Sequence, residues 1–185
     1  LSNQENELSS SNQQNLFTKG NLFYFPSLLT ICLTIHMIVG VHMVFNDFLL
    51  PYSSGKETAQ YIQAKGWQDF PIFATRDVEV ATVSGYLDRE FYLPELKGYG
   101  SYAQWAKRIT VDRSKTLDEV QLYLEKFPKV NKLLLLLSNR SSINNLEPGE
   151  SIYFDKFKVI ADSKFENSYK DSEKFYLYWV ERIID

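Results

Sequence analysis

NLFYFPSLLTICLTIHMIVGVHMVFNDFLL, residues 21–50, is the stretch that decides how the chain is organised. Residues 27–45 contain no Asp, Glu, Lys or Arg. At about 1.5 Å per residue, a helix of that length approaches the roughly 30 Å of a bilayer's hydrocarbon core. Phe and Tyr residues cluster at both ends, as they do in helices anchored at the two membrane interfaces. The pattern predicts a transmembrane helix over residues 22–50.

Two other interpretations of this stretch are a signal peptide and a helix or hairpin buried in a soluble core. A signal peptide carries a basic flank and a small-residue cleavage site. The stretch lacks a basic flank beyond Lys19 and shows no clear cleavage pattern. A membrane-spanning helix is therefore the preferred interpretation, and the lipid bilayer is the first expected partner.

One face of the predicted helix carries side chains suited to contact with another helix. They recur at steps of four, four, three and four, and are Cys32, His36, Gly40, Met43 and Asp47. A stripe with His, Gly and a terminal Asp matches lipid tails poorly and close helix packing well. We interpret His36 as a packing residue bonded to a neighbouring helix, the alternative being a proton relay or ligand. Other transmembrane helices of the same parent chain are expected partners.

Composition excludes some classes of function and leaves room for one folded domain. The 185 residues carry a formal charge of −3, so no electrostatic footprint for nucleic acid is present. The single cysteine, Cys32, excludes an intrachain disulfide. Residues 1–21, rich in Asn, Gln and Ser, predict a flexible polar loop or tail. Residues 51–185 suffice for one soluble α/β domain. Leu1 in place of Met suggests a fragment of a longer chain, or a processed one.

Helix and strand patterns alternate along residues 51–185. Ser54 and Glu57 have the spacing of a helix-capping box, and a helix to Gly66 is expected after them. The alternation predicts βαβ units and a Rossmann-like, three-layer domain with a mostly parallel sheet. The further elements expected are strands at 69–75 and 91–94, a short strand at 101–105, and helices at 78–87 and 116–127.

The second half of this domain is expected to be strand-rich. KLLLLLS, residues 132–138, places five leucines between polar ends, which predicts a central strand covered on both faces. Residues 152–161 and 175–183 are rich in aromatic and β-branched side chains. We expect them to be two antiparallel strands that complete the sheet.

A search for catalytic patterns is largely negative. The sequence contains no Gly-rich phosphate loop, H-E-x-x-H, paired-cysteine or G-x-S-x-G motif. Both histidines lie in the apolar stretch, so residues 51–185 have no imidazole for a Ser-His or Cys-His pair. We predict no catalytic residue, no metal site and no cofactor within these 185 residues.

Thr75, Arg76 and Asp77 form the best candidate for a ligand-binding site. They lie where a predicted strand ends and a helix begins. That edge of an open α/β sheet is where ligands usually bind, and helix N-termini favour anions. The alternative is that Asp77 caps the helix and Arg76 is a solvated surface charge.

Three strings that follow the membrane helix and its terminal proline carry a resemblance: SSGKETAQYI, GYLDREFYLP and SYAQW. Residues 28–183 resemble the C-terminal region of bacterial polytopic glycosyltransferases of the dolichyl-phosphate-mannose-protein mannosyltransferase-like (GT-C) group. The resemblance implies transfer of a sugar from a polyprenyl-phosphate donor. It implies a non-catalytic domain capping the membrane active site. That family's catalytic acidic residue and lipid-phosphate contacts lie in loops between earlier membrane helices, and none of those motifs occurs here.

The side of the membrane is the point on which two expectations differ. Lys19 before the helix and Lys56 and Lys65 after it lean slightly towards a cytoplasmic domain. The resemblance implies a domain outside the cytoplasm, at the bacterial inner membrane. We prefer the second, because earlier helices help to set orientation in a polytopic protein. The alternative function is a single-pass, membrane-anchored α/β binding or scaffold module without enzymatic activity.

Overall fold

The computed structural model describes residues 2–102, 109, 111–139, 143 and 145–183, and for residues 2–25 and 113 it describes the backbone alone. The chain divides into two compact units, Leu1–Leu49 and Leu50–Asp185.

The first unit is a single helix, α1, which covers Ser2–Leu49. Within it, Pro26–Leu49 is long and apolar enough to cross a membrane, and none of this 24-residue segment is buried in the structure. The backbone of residues 2–21, for which a flexible tail is expected, continues the helix. These residues contain no proline and a single glycine, Gly20, so little in them breaks a helix.

The second unit is a seven-stranded sheet flanked by helices. Its strand order is β3-β2-β1-β4-β7-β6-β5. The elements are α2 (Gly55–Ala64), β1 (Ile72–Ala74), α3 (Asp77–Leu87), β2 (Phe91–Leu93), β3 (Gly98–Gly100), α4 (Thr116–Lys126), β4 (Lys132–Ser138), β5 (Ser151–Phe154), β6 (Phe157–Phe165) and β7 (Phe175–Arg182).

The sheet is mixed and mostly antiparallel, so the expectation of a mostly parallel sheet is wrong. In the described part of the chain, β1 pairs in parallel with β2 and with β4. The pairs β2–β3, β4–β7, β5–β6 and β6–β7 are antiparallel. The physical reason lies in the connections between strands. Two parallel strands must be joined by a long crossover, usually a helix. Within the residues that the structure describes, the segments that contain α3 and α4 provide such crossovers. Among the described strands, parallel pairing is thus limited to β2, β1 and β4.

Three strand predictions differ from the structure in their bounds. The strand expected at 69–75 is the shorter β1, Ile72–Ala74. Residues 152–161, expected to be one strand, belong to the hairpin of β5 and β6. The hairpin turns at Asp155, whose φ of 42° places it in the left-handed region that Asp tolerates better than most residues. The strand expected at 101–105 lies earlier, at Gly98–Gly100, and residues 103–105 are outside the described part of the chain.

Helices cover both faces of the sheet, as predicted for a three-layer domain. The face that carries α4 buries Val120, Tyr123 and Leu124 of that helix. The opposite face buries residues of α2 and α3, including Ile62 and Val83. The five leucines of β4 alternate between the two clusters, and each is 0% exposed: Leu133, Leu134, Leu135, Leu136 and Leu137. The prediction of a central strand covered on both faces is confirmed.

The order of the connections creates a switch point between β1 and β4. From β1 the chain passes through α3 to β2 on one side. It then returns through α4, on the opposite face, to β4 on the other side of β1. In open α/β sheets, ligands bind outside the carboxyl ends of the strands at such a point.

Candidate functional site

The carboxyl ends of the three mutually parallel strands bring three chain segments to one edge of the sheet. They are residues 94–95 after β2, 75–77 after β1, and 138–139 at the end of β4. We call this border the carboxyl edge. The predicted ligand-binding residues Thr75, Arg76 and Asp77 lie on it, at the switch point, and their role in binding stays a prediction.

Arg76 has a strained backbone that two carboxylates hold in place. Its φ of 67° and ψ of 72° are left-handed, a conformation that costs a non-glycine residue about 1–2 kcal/mol. Its backbone N–H donates to Glu95 Oε1 at 2.6 Å, and its Nε donates to Glu79 Oε1 at 2.8 Å. Both carboxylates are buried, at 5% and 7% exposure. Arg76 is therefore a paired, partly buried cation rather than a solvated one.

Asp77 and Thr75 are buried on either side of Arg76. Asp77 is the first residue of α3, is 0% exposed, and accepts a hydrogen bond at Oδ1 from the Val78 N–H at 3.0 Å. The position before the helix is Arg76, and its side chain makes no capping bond. A carboxylate in the first helical turn is favoured by the positive end of the helix dipole. Asp77 thus stabilises the start of α3 from inside the helix.

A loop from the far end of the chain, residues 166–174, lies against the same edge. Because β7 runs antiparallel to β4, its first residue, Phe175, pairs with Ser138. The Asn139 N–H donates to the Lys174 carbonyl at 3.0 Å. Glu173, which is 6% exposed, places Oε1 3.8 Å from Lys170 Nζ. Lys170 and Glu173 are thus a second ion pair at this edge, beside Arg76 and Glu79. No local sequence pattern predicts it.

The segment at the start of the second unit, residues 51–54, is bonded to this loop and to the end of β6. We call it the joining segment. Backbone and side-chain hydrogen bonds hold it: from the Tyr169 N–H to Pro51 O at 2.9 Å, from Ser168 Oγ to Tyr52 O at 2.8 Å, from the Ser54 N–H to Glu173 O at 3.1 Å, and from Ser54 Oγ to the carbonyls of Phe165 at 2.8 Å and Glu173 at 2.9 Å.

The predicted capping box at Ser54 and Glu57 is therefore wrong. Ser54 is the residue that precedes α2, but its hydroxyl makes no capping bond because it bonds to the carbonyls of Phe165, at the end of β6, and of Glu173. The Ser53 hydroxyl instead accepts the Gly55 N–H at 3.0 Å. A spacing rule based on four residues cannot anticipate a partner more than a hundred positions away.

Tyr176 adds a proton donor on the other face of the sheet at the same edge. Its hydroxyl donates to Glu166 Oε1 at 2.7 Å and lies 3.0 Å from Asn139 Oδ1. Burial and the bond to Glu166 raise the pKa of Tyr176 above that of an ordinary tyrosine. The hydroxyl therefore keeps its proton at neutral pH. No local sequence pattern points to Tyr176 or Glu166.

Chemically, the carboxyl edge offers hydrogen-bond acceptors and donors side by side. Glu79, Glu95 and Glu173 are buried acceptors. The first two bond to Arg76, and the third pairs with Lys170. In the described part of the chain, no group of three or more His, Cys, Asp and Glu residues could hold a metal ion.

No protein-family model, curated protein or solved structure matches this chain. The resemblance to polytopic glycosyltransferases stays an expectation, which rests on the order of the elements and on the strings of residues quoted above.

In α1, the stripe predicted for helix packing lies on one side of a continuous helix. The His36 ring bonds through Nδ1 to the Cys32 carbonyl at 2.7 Å, and because a carbonyl has no proton, Nδ1 carries the hydrogen. The hydroxyls of Thr30 and Thr34 also donate to carbonyls four residues earlier, each at 2.8 Å. Polar groups that bond back to their own helix are tolerated in lipid. Packing of Gly40, Met43 and Asp47 against a neighbouring helix stays a prediction.

Proposed function

We propose that residues 1–185 form the C-terminal part of a bacterial membrane glycosyltransferase that uses a polyprenyl-phosphate sugar donor. In this proposal, α1 spans the inner membrane and packs through its stripe against other helices of the same parent chain. The α/β domain lies outside the cytoplasm and caps the membrane active site. It contributes ligand contacts, whereas the catalytic residues belong to other parts of the parent.

The observation that carries this proposal is the place at which the chain joins the domain. Pro51 follows the apolar segment Pro26–Leu49 after one residue. The joining segment is bonded to the loop at the carboxyl edge, where β1 and β4 end. A domain that assists a membrane enzyme needs its ligand-binding edge close to the membrane. The connection through residues 51–54 is short enough for this need, because only a few residues along the chain separate the apolar segment from the residues bonded at that edge.

The chemistry of the carboxyl edge supports a sugar or a hydroxyl-rich acceptor as the ligand. Carboxylates next to a guanidinium can accept and donate at neighbouring hydroxyl groups of one ring. Arg76 keeps its strained backbone through Glu95 and Glu79, and such strain is concentrated at binding sites. We therefore expect Thr75, Arg76 and Asp77 to mark the ligand-facing part of the domain.

The same strained residue also favours a second candidate, a single-pass membrane-anchored binding or scaffold module. In that case α1 is a simple anchor, and the carboxyl edge binds its ligand without any chemistry. The two candidates differ in what the gene encodes upstream of Leu1. The glycosyltransferase requires several further apolar spans of about 20 residues with an acidic residue in the first loop between them. A start codon or a signal sequence directly before Leu1 would exclude it.

A biochemical test separates the domain from the membrane part. Residues 53–185, purified without α1, are expected to transfer no sugar from a labelled polyprenyl-phosphate donor. Transfer by this domain alone would contradict the proposal, because it would place the catalytic residues inside the sheet domain.

A further inference from the structure

Two exposed tyrosines lie next to the point where the chain leaves the apolar helix. Tyr52 and Tyr169 are 52% and 59% exposed. The Tyr169 N–H donates to Pro51 O at 2.9 Å, and Pro51 is two residues beyond Leu49. Since consecutive Cα atoms are about 3.8 Å apart, covalent geometry keeps both tyrosine backbones within roughly 15 Å of Leu49. This distance holds for any orientation of the domain.

A lysine accompanies these tyrosines. Lys170 Nζ lies 5.1 Å from the centre of the Tyr52 ring, and its side chain is 45% exposed. A hydrogen bond with the Tyr52 hydroxyl raises the pKa of Lys170, so the ammonium group stays charged. Tyrosine and lysine both have an apolar body and a polar end, which suits them to the boundary between lipid tails and water.

The opposite edge of the sheet carries a pair of the same chemistry. Tyr153, in β5, is 71% exposed, and Lys158 Nζ lies 5.4 Å from the centre of its ring. In β6, Phe157 pairs with the last residue of β7, Arg182, whereas Phe165 pairs with its first residue. The β5–β6 turn is therefore at the end of β7 that is remote from the carboxyl edge. Tyr153 and Lys158 are a matched reference for the pair Tyr52 and Lys170.

We propose that Tyr52, Tyr169 and Lys170 form a membrane-docking patch whose partner is the lipid headgroup layer. The tyrosine rings would lie at the level where tails meet headgroups, and the lysine would contact lipid phosphates. This contact would keep the carboxyl edge at the membrane surface, where a lipid-linked ligand is encountered. The proposal rests on α1 spanning a bilayer and does not depend on sugar transfer.

Depth measurements by electron paramagnetic resonance test the patch in the full chain. The chain is reconstituted into vesicles of phosphatidylcholine and phosphatidylglycerol, with Cys32→Ala to remove the native thiol. A nitroxide is attached to Tyr169→Cys in one sample and to Tyr153→Cys in the matched control. Oxygen concentrates in lipid and a nickel chelate in water, so the ratio of their effects on the label reports depth. We expect this ratio to be several-fold higher at position 169 than at position 153.

A charge reversal provides a second readout. Lys170→Glu should lower the oxygen-to-nickel ratio at position 169, because the carboxylate is repelled by lipid phosphates, whereas Lys158→Glu should not change the ratio at position 153. Equal ratios at the two positions would overturn the proposal. A label at 169 that neither reagent reaches would also overturn it, since that result indicates a protein partner. Chains that fail to float with the vesicles would overturn both the patch and the spanning helix.

Discussion

Gly55 and Gly85 are two helical glycines at which alanine is expected to have opposite effects on stability. A Cβ added at Gly55 would lie 2.9 Å from Thr82 Cβ and 3.2 Å from Ser53 Oγ. Thr82 Cβ is attached to the backbone of α3 and cannot rotate away, so α2 and α3 would have to separate. Forcing an extra carbon into a close-packed contact costs about 1–3 kcal/mol. We expect Gly55→Ala to lower the free energy of unfolding by this amount.

The effect at Gly85 has the opposite sign. A Cβ there would meet nothing within 4 Å, and the residue lies inside α3 without a positive φ. Alanine should raise the free energy of unfolding by about 0.5–1 kcal/mol, because it restricts the unfolded chain. The two variants therefore separate the packing effect from the general effect of replacing a helical glycine.

Urea unfolding of the full chain in detergent micelles, followed by the fluorescence of its three tryptophans, measures both changes. Thr82→Gly removes the atom that clashes, so it should suppress the loss caused by Gly55→Ala. Thr82→Ser keeps that atom and should not suppress it. A Gly55→Ala variant as stable as the native chain would refute the close contact between α2 and α3, and with it the described position of the joining segment.

Three further predictions follow from other parts of the domain. Arg76→Gly should be more stable than Arg76→Ala by about 1 kcal/mol, because only glycine relieves the left-handed backbone, and equal unfolding midpoints would contradict this. Burial raises the pKa of Tyr178, so the folded state favours the neutral phenol and the domain loses stability as pH rises above about 10. Tyr178→Phe removes the bond to Ile143 O but should make the free energy of unfolding fall less steeply with pH above about 10. Unfolding measured at several pH values tests this, and an unchanged slope would refute it. Tyr153→Cys, in the Cys32→Ala background, should react with a membrane-impermeant maleimide in intact spheroplasts, whereas reaction only after lysis would place the domain in the cytoplasm.

Sequence patterns predict best the helices and strands whose bounds depend on residues within the element itself. The leucine run of β4 has five apolar residues between polar ends, and its bounds are those predicted. The helix at 78–87 and the strand at 91–94 agree with α3 and β2 to within one residue at each end. In each case the sequence signal is local, because the spacing of apolar side chains indicates whether an element is buried on one face or on both.

Strand direction and the partners of the site depend on contacts that are distant in sequence. Residues 152–161 look like one strand because the aromatic residues of β5 and β6 run together, and the turn at Asp155 interrupts them only briefly. The position of Thr75, Arg76 and Asp77 at a strand end is predictable because the sequence pattern changes there from that of a strand to that of a helix. Glu95 bonds to Arg76, and the loop that contains Glu173 reaches the same edge of the sheet. Both depend on the strand order and on the pairing of β4 with β7, which no local pattern reveals.

The proposed function is tested most directly by sugar transfer in membranes that contain the parent protein. Three preparations are compared: the whole parent, the parent without residues 51–185, and residues 1–185 alone, each supplied with radiolabelled polyprenyl-phosphate sugars. The proposal predicts transfer by the whole parent, strongly reduced transfer without the domain, and none with residues 1–185 alone. Transfer by residues 1–185 alone, or no transfer by the whole parent with any donor sugar, would contradict it.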